Sequence, residues 1–124
     1  MIEGNIRTFL LAQPTVATVF GTKIYAGNIP EGIKSPMAVI YRISDVTGHE
    51  VEVQTLVIQV SNFATVYSDV VTHSDILNGL LKGFIGNMGG IQIVSVVAGN
   101  SNRLYDSTQK LWQSVRDYQI VLRK

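Results

Sequence analysis

The chain has 124 residues, enough for one hydrophobic core and too few for two. It carries ten basic and nine acidic residues spread along its length, a net charge of +1 with no basic stripe, which argues against a dedicated phosphate-neutralising nucleic-acid binder. Cysteine is absent, so a disulfide framework, thiol catalysis and zinc-thiolate sites are excluded.

From Ile2 to Ala12, the apolar residues Ile2, Ile6, Phe9 and Leu10 fall on one face of an amphipathic helix, with Glu3, Arg7 and Gln13 directed elsewhere. Pro14 cannot continue that helix but suits the first turn of another. A short helix over Thr15–Phe20 therefore follows and stops at Gly21. Lys23–Ala26 reads as a short strand. Residues 27–36 hold two prolines and two glycines and read as a surface loop.

Pro36 opens a strand from Met37 to Val46, Thr47-Gly48 supplies a turn, and Glu50–Phe63 returns as the second strand of an antiparallel hairpin. In that second strand the apolar side changes between Val53 and Leu56, which predicts a bulge near Gln54-Thr55. Thr65 is a good cap for a long helix ending at Gly83 or Phe84, with Val66, Val70, Leu77, Leu80, Leu81 and Phe84 at helical spacing and His73 on the same stripe.

Gly86–Gly90 ends that helix. Ile91–Ala98 and Trp112–Leu122 are the last two strands, and Gly99–Gln109 between them is a polar, turn-rich loop. In the last strand Trp112, Ser114, Arg116, Tyr118, Ile120 and Leu122 share one face. The expected fold is α+β: a mostly antiparallel sheet of four to five strands with two main helices packed on one face, in a single domain over residues 1–124.

Constellations for chemistry are weak. His49 and His73 stand 24 positions apart without a set of three or four convergent ligands, so no metal site is expected. Glu50 and Glu52 lie on one strand face, whereas catalytic carboxylate pairs normally face each other across a cleft. The glycines at 83, 86, 89 and 90 close a helix before a strand, the reverse of a phosphate loop, and no Gly-Lys-Ser/Thr follows. There is no Gly-x-Ser-x-Gly elbow. Tyr41, Tyr67, Tyr105 and Tyr118 with Arg42, Arg103 and Arg116 offer a stacking surface for single strands, but their positions suit a core or a subunit interface better.

The amino terminus lacks the basic and apolar regions of a signal peptide, and the apolar runs fall far short of a membrane span, so a soluble protein is expected. Hydrophobic residues make up 46% of the chain, charged residues 15%, and mean hydropathy is +0.23. That balance favours apolar surface covered by partner subunits.

Leu10-Leu11, Pro14, Val19-Phe20-Gly21, Ile24-Tyr25, Pro30-x-Gly32, Pro36 and Val39-Ile40-Tyr41 follow one another in an order that resembles the tail-completion, or tail-terminator, proteins of long-tailed bacteriophages. The closing strand Arg116–Leu122 is similar to that family's last strand, while 99–110 is longer and more polar than its pattern. The resemblance implies a virion protein, assembled in the host cytoplasm, that caps the head-proximal end of the tail as a ring, usually hexameric. Such a ring ends tube polymerisation and meets a head-completion or neck protein, and DNA passes through its lumen as cargo.

No enzyme activity, cofactor or membrane is implied. The contact residues expected on this basis are Asn28, Ile29, Pro30 and Glu31 in the loop, Val46, His49, Glu50 and Glu52 about the hairpin tip, and Arg103 and Arg116. Glu50 and Glu52 would face the lumen or the partner ring. Two other readings stay open: a head-side neck or connector-completion subunit, and a small dimeric α+β ligand-binding domain.

Overall fold

The computed structural model describes residues 2–47 and 53–123. Its elements are α1 (Ile2–Leu11), α2 (Pro14–Phe20), β1 (Ile24–Ala26), β2 (Met37–Thr47), β3 (Val53–Ala64), α3 (Tyr67–Leu81), β4 (Gly86–Met88), β5 (Ile91–Asp106) and β6 (Leu111–Arg123).

The strands form one sheet of six in the order β1-β2-β3-β6-β5-β4. This corrects the expected mostly antiparallel sheet of four to five strands with two main helices: among the described residues three helices accompany a six-stranded mixed sheet. The mixed character comes from β1, which lies parallel to β2 with Ile24 beside Ala38 and Ala26 beside Ile40. Loop 27–36 makes this possible, because it carries the chain back along the short β1 before β2 begins. Every other pairing is antiparallel.

Local chemistry sets the first elements. Pro14 occupies the start of α2, where its missing N–H leaves nothing unpaired, and Gly21 ends that helix at φ 63 with its N–H donating to the Ala17 carbonyl. Ile2, Ile6 and Leu10 bury the inner face of α1, and Val16 and Phe20 that of α2. They meet Ala38 and Ile40 of β2, Leu56, Ile58 and Val60 of β3, Ile93 and Val96 of β5, and Tyr118, Ile120 and Leu122 of β6 in one core. Glu3, expected to point away from that core, is buried and accepts a hydrogen bond from Arg42 Nε at 2.8 Å. The apolar stripe of a helix says nothing of a cation supplied by a distant strand.

α3 starts later than the sequence suggests. Its cap position is Val66, with no side-chain cap, and it ends at Leu81. What seats it on the sheet is a line of polar contacts one helical turn apart. Asn62 Nδ2 donates to the Val70 carbonyl at 3.2 Å, Ser114 Oγ to Ser74 Oγ at 3.1 Å, and Tyr118 Oη to Asn78 Oδ1 at 3.1 Å. Burial pushes the Tyr118 phenol up to about 12, with the Arg116 guanidinium pulling the other way. The shared face of Trp112, Ser114, Arg116 and Tyr118 expected for β6 is the face turned toward α3.

Two further expectations change. No bulge falls at Gln54-Thr55: β3 pairs with β6 in unbroken register from Val53–Arg123 to Ala64–Trp112. The extra residue is Ile43 on β2, between Arg42 opposite Ile58 and Ser44 opposite Val57. Nor is 99–110 a loop. β5 runs through to Asp106 and pairs with β6 down to Asp106–Leu111, after a register shift between Ala98 and Ser101. Gly86–Gly90 holds strand β4 and a two-residue turn, Gly89-Gly90, with φ of 61 and 92. Both dihedrals lie in the region that glycine alone occupies freely, and the pair matches the twist of a tight hairpin.

Candidate assembly surfaces

The expected contact residues lie at two ends of the sheet. Asn28, Pro30 and Glu31 are exposed in loop 27–36, and Ile29 is half-buried. With Ile33, Met37, Phe63 and Gln109, residues Ile29–Gly32 line a cleft of about 330 Å³. Gln109 belongs to the turn between β5 and β6, so loop 27–36 and the tip of the long hairpin meet at one end. Val46 lies in β2 at the other end, opposite Thr55. His49, Glu50 and Glu52 fall outside the described residues.

Arg103 and Arg116 come together. Arg103 opposes Ser114 and Arg116 opposes Ser101, which makes the arginines diagonal neighbours on the face that carries α3, about 7 Å apart. Both are half-buried, and each has a buried Nε with no hydrogen-bond partner among the described residues.

Next to them on the same face stands an aromatic group. Trp112 packs edge-on against Tyr67 of α3 at 4.9 Å and tilts against Tyr105 of β5 at 5.0 Å. Tyr67 and Tyr105 are each about half exposed. The opposite face of the same hairpin forms an open polar trough of about 410 Å³, lined by Gln59, Asn100, Ser101, Asn102, Leu104, Gln113, Val115 and Asp117.

These surfaces were hard to find by sequence because they depend on Gly99–Gln109 being strand. A period-two pattern survives beyond the register shift: Arg103 and Tyr105 lie on the α3 face, while Asn102 and Leu104 face the trough, which Ser101 beside the shift also lines. It is a pattern without the apolar–polar contrast that makes a strand visible.

His73 sits apart. Its ring packs edge-on against Phe20 at 5.4 Å, beside a cleft of about 280 Å³ formed with Ser35, Pro36, Ala64, Thr65 and Asp69. Burial lowers its pKa below the ordinary 6.5, and the Asp69 carboxylate acts in the opposite sense. Among the described residues no group of three or more His, Asp or Glu side chains is placed to hold a metal ion. None of the helices described is long and apolar enough to cross a membrane. The geometry therefore offers broad, open protein surface, with polar, aromatic and cationic sectors around one projecting hairpin.

No family model matches the chain, and no curated protein does. The fold has a counterpart in the virion of a native gene transfer agent particle. The likeness to a chain of that particle has a TM-score of 0.78 and covers 99% of this chain and 95% of that chain. The two sequences are 11% identical, so what they share is the fold, from end to end. The same strands and helices are thus built from almost entirely different side chains, which puts weight on the arrangement of elements over any single residue.

Proposed function

We propose that this protein is a structural subunit of a phage-like virion, and that it works as a ring closing the head-proximal end of the tail tube. The observation that carries this reading is the end-to-end fold likeness to a chain of a gene transfer agent virion. The sequence resemblance to tail-completion proteins supports the finer role. So does the surface, which leaves Ile43 on β2 and Val97, Leu104 and Tyr105 on β5 about half exposed or more. In this role the ring ends tube growth and offers one face to the tube protein and the other to a neck or head-completion protein. Its chemistry is contact and shape.

The alternative of a ligand-binding domain has little support from the cavities, because the clefts of about 280 to 410 Å³ lie open at the surface and the apolar one inside the core is small. The apolar void among Ile6, Ile58, Val60, Leu81, Val96, Tyr118 and Ile120 holds about 10 Å³, far below the several hundred that a small-molecule site uses.

Light scattering over a concentration series, with and without cognate tail tubes, tests the proposal, and electron microscopy shows where any large species sits. Annular particles of several subunits at tube ends are the expected result. Binding to portal complexes and not to tubes would transfer the role to the head side of the neck. A dimer that never assembles on either would overturn both.

A further inference from the structure

Each side of the sheet is only half covered, and the two uncovered halves are complementary. On one side β1 covers β2 as far as Ile40, which also accepts from the Gly27 N–H. Beyond the bulge at Ile43, Ser44–Thr47 pairs with β3 on its inner side and with no strand on its outer side among the described residues. On the other side β4 covers β5 from Ile91 to Ile93, and the Gly83 N–H bonds the Val96 carbonyl. From Val97 to Asp106 the outer side of β5 has no strand beside it among the described residues.

Free edges of this kind normally carry devices that prevent pairing, such as lysine, proline or a bulge within the run. Neither Ser44–Thr47 nor Val97–Asp106 contains lysine or proline. The bulge on β2 precedes its run; of the two shifts on β5, the one between Ile93 and Ser95 precedes the run and the one between Ala98 and Ser101 lies inside it, which leaves Ser101–Asp106 as the regular stretch.

We infer that the free edge of β5 in one copy pairs with the free edge of β2 in the next, so that the ring is held by a sheet continued from subunit to subunit. The inference rests on the ring reading above. Strand direction agrees with it. β2, β3, β6 and β5 alternate in direction, so β5 runs opposite to β2. A second copy placed beside β5 in the same orientation therefore presents its β2 antiparallel to it, the arrangement in which both strands make straight hydrogen bonds.

Repetition of one orientation is what a cyclic, head-to-tail assembly requires. Two-fold pairing of β5 with β5 would satisfy one edge and leave β2 bare in every copy. The free runs also lie in opposite halves of the sheet. Ser44 is level with Val57, Gln119 and Val97, and β5 continues from there away from the level of Thr47. Successive copies must then be staggered along the strands, and a closed ring takes up such a stagger as strand tilt, as barrels do.

The absence of cysteine gives a clean test. Ser44→Cys and Asn102→Cys place one thiol on each edge at exposed positions, and a short bis-maleimide reports their proximity on the assembled protein. The doubly substituted chain should give a ladder of covalent multimers up to the ring. Each single variant alone should give none, and an equal mixture of the two singles should stop at dimers. Dimers from Asn102→Cys alone would mean two-fold pairing and would overturn the inference. No product from the double variant, with scattering still showing the ring, would overturn the edge pairing and leave the ring reading standing. A chain that stays monomeric on tube ends would remove the ring reading, and this inference with it.

Discussion

His73 is the residue whose surroundings make the clearest solution prediction. Phe20 packs on its ring from α2, Asp69 lies one turn earlier on its own helix, and Ser35, Pro36, Ala64 and Thr65 complete the cleft. Its buried Nδ1 has no hydrogen-bond partner among the described residues. Burial disfavours the charged ring, so the folded pKa lies below 6.5 while the unfolded chain keeps the ordinary value. As pH falls the unfolded chain takes up the proton first. The contribution of His73 to stability is thus constant above neutral pH and is lost as pH falls from 6.5 through the depressed folded value.

Melting temperatures measured between about pH 7.5 and about pH 5 should therefore drop more steeply for the natural chain than for His73→Gln. Parallel curves would show that some other group sets the acid sensitivity. The stripe that includes His73 can be read from spacing alone. Its contact with Phe20 cannot, because that pair is 53 positions apart and belongs to two different helices.

Among the elements, the long β5–β6 hairpin depends most on a few side chains. Past Ala98 it leaves the main core, and its tip is held by backbone pairing with β6 and by the aromatic group of Tyr67, Trp112 and Tyr105. Trp112 is the member in contact with both others. Trp112→Ala should cost about 2 kcal/mol, the sum expected for two aromatic contacts of this geometry. Tyr105→Ala should cost less, because that ring is half exposed and, among the described residues, packs on the Trp112 ring alone.

Denaturant midpoints with an unchanged slope would measure both losses. Equal losses would mean that Trp112 does not tie the hairpin to α3. The helices and the central β2–β3 pair are legible in the sequence because apolar residues recur there at helical or alternating spacing. The end of the β5–β6 hairpin is not, because a strand exposed on both faces needs only its neighbour's backbone, and Gly99–Gln109 has the composition of a loop. β4 is three residues long, too short to show a period, whereas β1, equally short, is where the sequence reads a strand over Lys23–Ala26. Gly89-Gly90 between Met88 and Ile91 was nonetheless a readable hairpin signal.

At the scale of the whole molecule the question is what kind of force joins copies. A net charge of +1 gives neither strong mutual repulsion nor a field that steers like copies together. The strand edges offer unpaired amides and carbonyls, and about them stand Ile43, Val97, Leu104 and Tyr105, each roughly half exposed. Contacts of that composition rest on backbone hydrogen bonds and apolar burial. Salt screens neither as it does ion pairs: raising ionic strength from about 0.1 M to about 1 M shortens the Debye length from about 10 Å to about 3 Å and affects mainly exposed charges.

The assembled mass should consequently be the same at both ionic strengths, by light scattering on rings formed at low salt and then shifted. Arg103 and Arg116 supply the contrast. If copies were held by a neighbour's carboxylates on that diagonal pair, the rings would come apart as salt rises, and Arg103→Gln with Arg116→Gln would mimic the effect at low salt. Persistence in about 1 M salt together with intact rings from the double glutamine variant would leave the strand edges as the joint, and would free the arginine pair for a different partner above or below the ring.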